Sequence, residues 1–240
     1  MKLFHKKNAY EEVRLITEKR VPFSYIEAYK SLRTNLNFIS SANDAKVFVM
    51  TSALPDEGKS SVSVNMALAL AGNNKKVMLI DCDLRRPSVY RMLKLGRQQQ
   101  GLTNVLTGLA SLEDCITRAK NPSIDIITAG IMQQNPSELL ASERMNQLLQ
   151  ILREHYDYVI LDAPPVSLVT DAAVLGGIAD GAILVVRSKF AASEAVQLAK
   201  QKLENVGVNI CGVVLNRYNM REANRRSGYS YSYSYEYGKE

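Results

Sequence analysis

The chain of 240 residues is 46% hydrophobic and 22% charged, ordinary proportions for a soluble globular protein with room for one α/β domain and a sizeable core. A net charge of +6 is mild and dispersed, so it permits acidic lipid or nucleic acid as a partner but demands neither. Three cysteines, Cys82, Cys115 and Cys211, are odd in number and widely spaced among apolar neighbours, which excludes a disulfide framework and a metal site and reads as reduced packing residues of a cytosolic protein.

Met1 to Lys7 carry three lysines but no apolar run behind them, so no signal peptide is expected. The most apolar long window, Val166 to Val186, is broken by Asp171, Asp180 and glycines and is not a membrane span. Residues 1–21 read as a polar extension, and Pro22 opens a helix. There Ser24 and Glu27 make a capping box, and Ile26, Tyr29, Leu32, Leu36 and Ile39 form an apolar stripe. Its polar side carries Glu27, Lys30 and Arg33, which from the residues alone is a solvated, salt-bridged face.

Val47 to Met50 is a short buried strand, followed by the loop Ala53-Leu54-Pro55-Asp56-Glu57-Gly58-Lys59-Ser60 and a helical pattern of Val62, Met66, Ala67 and Leu70. Strand, loop with Gly-Lys-Ser, then helix is the context of a phosphate-binding loop, although Ala53 stands where the usual motif begins with Gly. Amides of the loop and first helical turn, from Asp56 and Glu57 through Gly58, Lys59, Ser60 and Ser61, converge on an anion that the helix dipole favours. Lys59 reaches the β and γ oxygens of ATP, and the Ser60 hydroxyl is placed for Mg²⁺.

Gly72 ends that helix, and a second strand from Lys76 to Ile80 runs into Asp81-Cys82-Asp83-Leu84-Arg85-Arg86-Pro87. Residues two apart on a strand face the same way, so Asp81 and Asp83 are expected to point together off its end, around a cation such as Mg²⁺. The middle of the chain reads as short helices at Gly101 to Leu109 and Ser111 to Arg118, the latter capped by Ser111 with Asp114. A strand at Ile124 to Thr128 and a helical region from Asn135 to about Glu154 follow. Tyr158 to Leu161 is then an apolar strand ending in Asp162 and two prolines, the pattern of the acid in the Mg²⁺ shell of phosphate-loop nucleotidases.

Strands at Ala182 to Val186 and Ile210 to Leu215 flank a helix at Ser193 to Val206. The alternation of near-continuous apolar strands with helices predicts an α/β fold, a mostly parallel central sheet with helices on both faces. Asn216, straight after the last strand, sits at the carboxyl edge where ligands bind; it either reads an adenine edge or is a turn residue. In the tail, Tyr229, Tyr231, Tyr233, Tyr235 and Tyr237 alternate with polar residues, a low-complexity composition that favours disorder. The organisation expected is therefore an extension at 1–21, a phosphate-loop domain at 22–217 and a tyrosine-rich tail at 218–240.

SALPDEGKSS, LIDCDLRRP, VILDAPP and the tyrosine tail together resemble the bacterial tyrosine kinases, phosphate-loop enzymes with a deviant Walker pattern, in their short cytoplasmic Gram-positive form. The resemblance implies an ATP- and Mg²⁺-dependent protein-tyrosine autokinase of capsular or extracellular polysaccharide synthesis and export. In it Ser60, Asp83 and Asp162 surround Mg²⁺, Asp81 accepts the tyrosine proton, and the five tail tyrosines are phosphoacceptors. It also turns Glu27, Lys30 and Arg33 into an oligomerisation motif for a ring, with Lys30 where the family has arginine, a residue that cannot give a bidentate fork. A transmembrane activator that recruits the chain to the inner face of the plasma membrane, a cognate tyrosine phosphatase and no nucleic-acid partner complete the implied setting. Partitioning ATPases share the fold but carry lysine at the loop's second position, where this chain has Leu54; a third class is a nucleotide-dependent assembly scaffold without kinase activity.

Overall fold

In the computed structural model, residues 14–96, 99–119 and 122–219 are described. They form seven strands, β1 (Val47–Ser52), β2 (Val77–Asp81), β3 (Ile116–Ala119), β4 (Ile124–Ile127), β5 (Tyr158–Asp162), β6 (Gly181–Arg187) and β7 (Ile210–Asn216). The helices are α1 (Phe23–Asn43), α2 (Lys59–Ala71), α3 (Val89–Met92), α4 (Leu102–Thr107), α5 (Leu112–Cys115), α6 (Pro136–Leu140), α7 (Glu143–His155), α8 (Asp171–Gly176) and α9 (Ser193–Glu204). The strand order is β3-β4-β2-β5-β1-β6-β7, parallel throughout except where β3 runs against β4.

The unbroken apolar runs of β1, β2 and β5 are explained by burial on both faces. Val47, Val49, Met78, Ile80, Val159 and Leu161 point into one core layer, and Phe48, Met50, Val77, Leu79, Tyr158 and Ile160 into the other. Helices α1 and α2 cover the second layer, through Tyr29, Leu36 and the almost wholly buried α2; α7, α8 and α9 cover the first. Each such side chain contributes about 1.5–3 kcal/mol on burial. From β1 the chain moves outward to β2, leaving a gap that β5 fills, whereas β6 and β7 add on the other side. The carboxyl ends of β1, β2 and β5 therefore open onto one crevice, where such sheets bind ligands.

Three local readings need correction. The helix expected to reach Arg118 stops at Cys115, and the β-branched pair Ile116-Thr117 enters an edge strand, locked to β4 by Arg118 Nε on Asp125 Oδ1 at 2.7 Å. The capping box at Ser24 and Glu27 is not made, because Pro22 itself is the N-cap with φ −58° and no side chain caps the helix. The region from Asn135 to Glu154 is two helices, parted at Ala141 and Ser142, and α3 and α8 had no expectation at all. By contrast, Gly72 caps α2 and the Ser111 hydroxyl accepts the Asp114 N–H as expected. Leu15 and Ile16 pack on the α2 layer, and the Ile16 N–H donates to Asn65 Oδ1 at 2.8 Å. None of the helices in the described residues is long and apolar enough to cross a membrane.

Candidate phosphate and metal site

The loop after β1 turns through two left-handed residues, Asp56 (φ 63°) and Gly58 (φ 85°), before α2 begins at Lys59. A Cβ at Gly58 would run into the Asn216 amide, so glycine is required both by φ and by the close approach of β7. No side chain caps α2, although Lys59 and Ser60 are buried. No N-cap side chain occupies the first-turn amides, so they can receive an anion, which is the physical content of a phosphate cradle. Among the expected loop contacts, Asp56 is exposed, Ser61 half-buried, and Glu57 wholly buried.

Glu57 does not face the crevice. Its carboxylate accepts the Leu54 N–H at 2.7 Å and the Arg187 N–H at 3.2 Å, so the side chain braces the loop against β6, and only its backbone can serve a ligand. Asn216 braces the other flank: its Nδ2 donates to the Glu57 carbonyl at 2.8 Å, and its Oδ1 accepts the Arg217 N–H at 2.9 Å. Both ends of the Asn216 amide are thus engaged at the loop and the turn after β7.

The Lys59 ammonium lies 3.0 Å from Asp83 Oδ2, 3.4 Å from Asp162 Oδ2 and 3.1 Å from Ser60 Oγ. Register explains the convergence, since Asp81 on β2 stands opposite Asp162 on β5. Burial alone would lower the Lys59 pKa, but the fields of Asp162, Asp83 and Asp81 outweigh it and hold it above the ordinary value, so the side chain is a cation. Asp162 is fully buried and accepts the Ser63 hydroxyl at 2.9 Å; burial raises its pKa against the pull of Lys59 and the hydroxyls.

Asp81 and Asp83 do not point together. Asp83 reaches Lys59 with one oxygen and accepts the Arg86 N–H with the other at 2.9 Å. Asp81 curls into the following turn, accepting the N–H groups of Asp83 (3.2 Å), Ser88 (3.0 Å) and Val89 (3.0 Å). The alternation rule fails because the strand ends at Asp81, so Asp83 is already in the turn. Burial, then the charge of Asp162, push Asp81 up to about 7, against the opposing pull of Lys59 and the Val89 N–H.

Arg85 is held by Asp171, with Nε 3.2 Å from Oδ2 and Nη2 3.5 Å from Oδ1, and by Ser137, while Arg86 is exposed. On α1, Glu27 and Lys30 pair with each other at 2.7 Å. Arg33 instead turns inward and donates to the Ala69 carbonyl at 3.0 Å, capping the end of α2. The tail tyrosines Tyr229, Tyr231, Tyr233, Tyr235 and Tyr237 lie outside the described residues. Sequence reasoning missed Ser63 and Asp171. Ser63 was legible in principle, one turn after Lys59 and on the same side of α2; Asp171 appeared only as a break in an apolar window.

An uncapped buried helix start, an ammonium, a hydroxyl and two carboxylates fit a magnesium–nucleotide, because Mg²⁺ is bound by one or two carboxylates plus the phosphates themselves. Comparisons with known proteins agree. A family model described as an AAA domain matches residues 46–211. The tyrosine-protein kinase YwqD of Bacillus subtilis (strain 168) is 37% identical over 205 residues, 85% of this chain and 85% of that protein. The tyrosine-protein kinase etk of Escherichia coli (strain K12) is also 37% identical, over 94% of this chain; the chain spans only 32% of that longer protein. The solved kinase domain of the Escherichia coli tyrosine kinase ETK superposes with a TM-score of 0.77 at 35% identity, covering 92% of this chain and 86% of that one.

Proposed function

The chain belongs to the bacterial tyrosine-protein kinases, and from that premise we propose that it is an ATP-dependent protein-tyrosine autokinase whose acceptors are Tyr229, Tyr231, Tyr233, Tyr235 and Tyr237. The observation that carries this reading is the Lys59 ammonium at the uncapped start of α2, flanked by Asp83, Asp162 and Ser60. Without nucleotide, Lys59 is held by the acids; γ-phosphate entry gives it a stronger anionic partner and leaves the two carboxylates to a divalent ion.

Phosphoryl transfer passes through a loose transition state, so the protein's part is positioning and charge neutralisation. The amides of Gly58, Lys59, Ser60 and Ser61 and the Lys59 ammonium orient the β and γ phosphates. Ser60, Asp83 and Asp162 would hold Mg²⁺, Asp162 kept in place by Ser63. That ion, when bound, neutralises charge on the phosphate oxygens. Asp81 is the acid that makes no direct contact with Lys59, and its carboxylate is aimed by three amides; it takes the acceptor's proton.

Around this chemistry we place a ring of copies using Glu27, Lys30 and Arg33, a transmembrane activator that recruits the chain to the inner membrane face through a cytoplasmic segment, a cognate tyrosine phosphatase and a role in capsular or extracellular polysaccharide synthesis and export. The ring contact would draw on side chains that here pair Glu27 with Lys30 and Arg33 with the Ala69 carbonyl. Incubation with Mg-ATP, with and without the activator's cytoplasmic peptide, followed by mass spectrometry of the tail, tests the core of the proposal. Phosphate on the tail tyrosines is the expected result. Nucleotide binding with an unmodified tail under both conditions would refute the autokinase reading and leave an assembly scaffold.

A further inference from the structure

Asp171 is fully buried at the start of α8, on the stretch that leaves β5 after Asp162. Its carboxylate receives the Arg85 fork and the Ser137 hydroxyl, and Ser137 Oγ also accepts from Arg85 Nη2 at 3.0 Å. Three segments distant in sequence thus close one polar triangle. Arg85 stands two residues after Asp83, in the turn whose other side-chain bonds mostly fall within itself, from Arg86 to Asp83 and from Ser88 and Val89 to Asp81. Besides Arg85, the turn's side-chain tie to another segment is the ion pair of Asp83 with Lys59.

That second tie is the one nucleotide entry breaks, since Lys59 must leave Asp83 for the phosphates. At the moment Asp83 is needed as a ligand, the Arg85 fork remains as the polar side-chain link from the body of the turn to the segment after β5, while the Cys82 N–H, 2.9 Å from the Asp162 carbonyl, ties only the start of the turn to β5. We propose that Asp171 is a positioning residue for the transfer: through Arg85 it fixes the turn that carries Asp83, and so the separation of Asp83 from Asp162. This rests on the autokinase reading for its catalytic consequence, but its effect on metal-assisted nucleotide binding does not require transfer. A purely structural pair would stabilise the fold without regard to the metal. A positioning pair sets how much Mg²⁺ the site needs.

The test uses the full chain with Asp171→Asn, which keeps the shape and removes the charge, together with Arg85→Gln and the double variant. Calorimetry of ADP binding is run across a Mg²⁺ series, with thermal unfolding and with the kcat and KM of tail phosphorylation alongside. Residues that orient metal ligands change affinity or activity by about 10–100-fold. We therefore expect Asp171→Asn to raise the Mg²⁺ requirement for ADP binding and to lower kcat by about tenfold, with KM for ATP at saturating Mg²⁺ unchanged. Arg85→Gln should match it, and the double variant should lose no more than either single one. An unaltered Mg²⁺ requirement in Asp171→Asn, even with a lowered melting temperature, would overturn the proposal, as would losses that multiply in the double variant. A wild type that binds Mg-ADP but labels no tyrosine would sink the autokinase reading alone, because the calorimetric series still decides the role of Asp171.

Discussion

Replacing Lys59 by methionine removes the cation from among Asp81, Asp83 and Asp162 while preserving most of the side chain's bulk. The Lys59 side chain is 10% exposed, and those of its partners Asp83 and Asp162 are 8% and 0% exposed, so solvent screens these pairs weakly. Removing one partner of a buried pair costs about 3–5 kcal/mol, because the remaining charge is left uncompensated. For a chain of this size each kcal/mol lowers the melting temperature by roughly 2–4 °C, so a drop on the order of 10 °C is expected above neutral pH. The sign of the pH dependence follows from the carboxyls. Lys59 lowers the pKa of Asp81 and Asp162; without it both rise further above the unfolded value of about 3.9. A raised carboxyl contributes its stability at low pH and loses it as pH rises through the folded pKa, which for Asp81 is already about 7. The variant's deficit should therefore be small at pH 5, where protons replace the ammonium, and full at pH 8. Thermal unfolding at both pH values, with phosphotyrosine blotting, makes the comparison. Equal melting temperatures of variant and wild type at pH 8, or a larger gap at pH 5, would refute the charge-compensation argument.

Asn216→Ala removes the amide that holds the Glu57 carbonyl; a net loss of about 1 kcal/mol corresponds to roughly fivefold weaker Mg-ADP binding by calorimetry. Lys59→Met should abolish tail phosphotyrosine and Mg-ADP binding, whereas Asp81→Ala should abolish the first and spare most of the second; equal loss of affinity would move Asp81 into the metal shell. Mixing a Lys59→Met chain that keeps its tail with an active chain lacking residues 218–240 should label the inactive chain, and an unlabelled tail would exclude transfer between copies. Replacing the five tail tyrosines by phenylalanine should fix the oligomeric mass seen by light scattering with and without Mg-ATP. Each phosphotyrosine otherwise adds about −1.5 to −2 charges to the tail. A fully phosphorylated wild type of unchanged mass would contradict that control.

What was legible in the sequence was what repeats at short range. The phosphate loop, the strand-end acids Asp81 and Asp162 and the parallel sheet follow from apolar runs ending in charged residues, since a strand buried on both faces has no other sequence form. Legibility failed where partners lie far apart in the chain. Glu57 looks like a ligand residue until Arg187 arrives from β6 to claim its oxygen. The edge strand β3 was hidden for the same reason: four residues carry no period, and only pairing with β4 decides between helix and strand. Arg33 shows the limit of reading one helix face, because its carbonyl partner belongs to the C-terminal turn of α2.

The staple between Asn216 and the nucleotide loop has a geometric corollary for the tail. Asn216 is the last residue of the sheet, so the chain leaves for its tyrosine-rich end from beside the loop that begins α2. Thirteen positions (229 − 216) separate Asn216 from Tyr229, the first tyrosine of the tail, so covalent geometry caps the reach of that tyrosine at about 45 Å, a length that permits service within one chain as well as between copies.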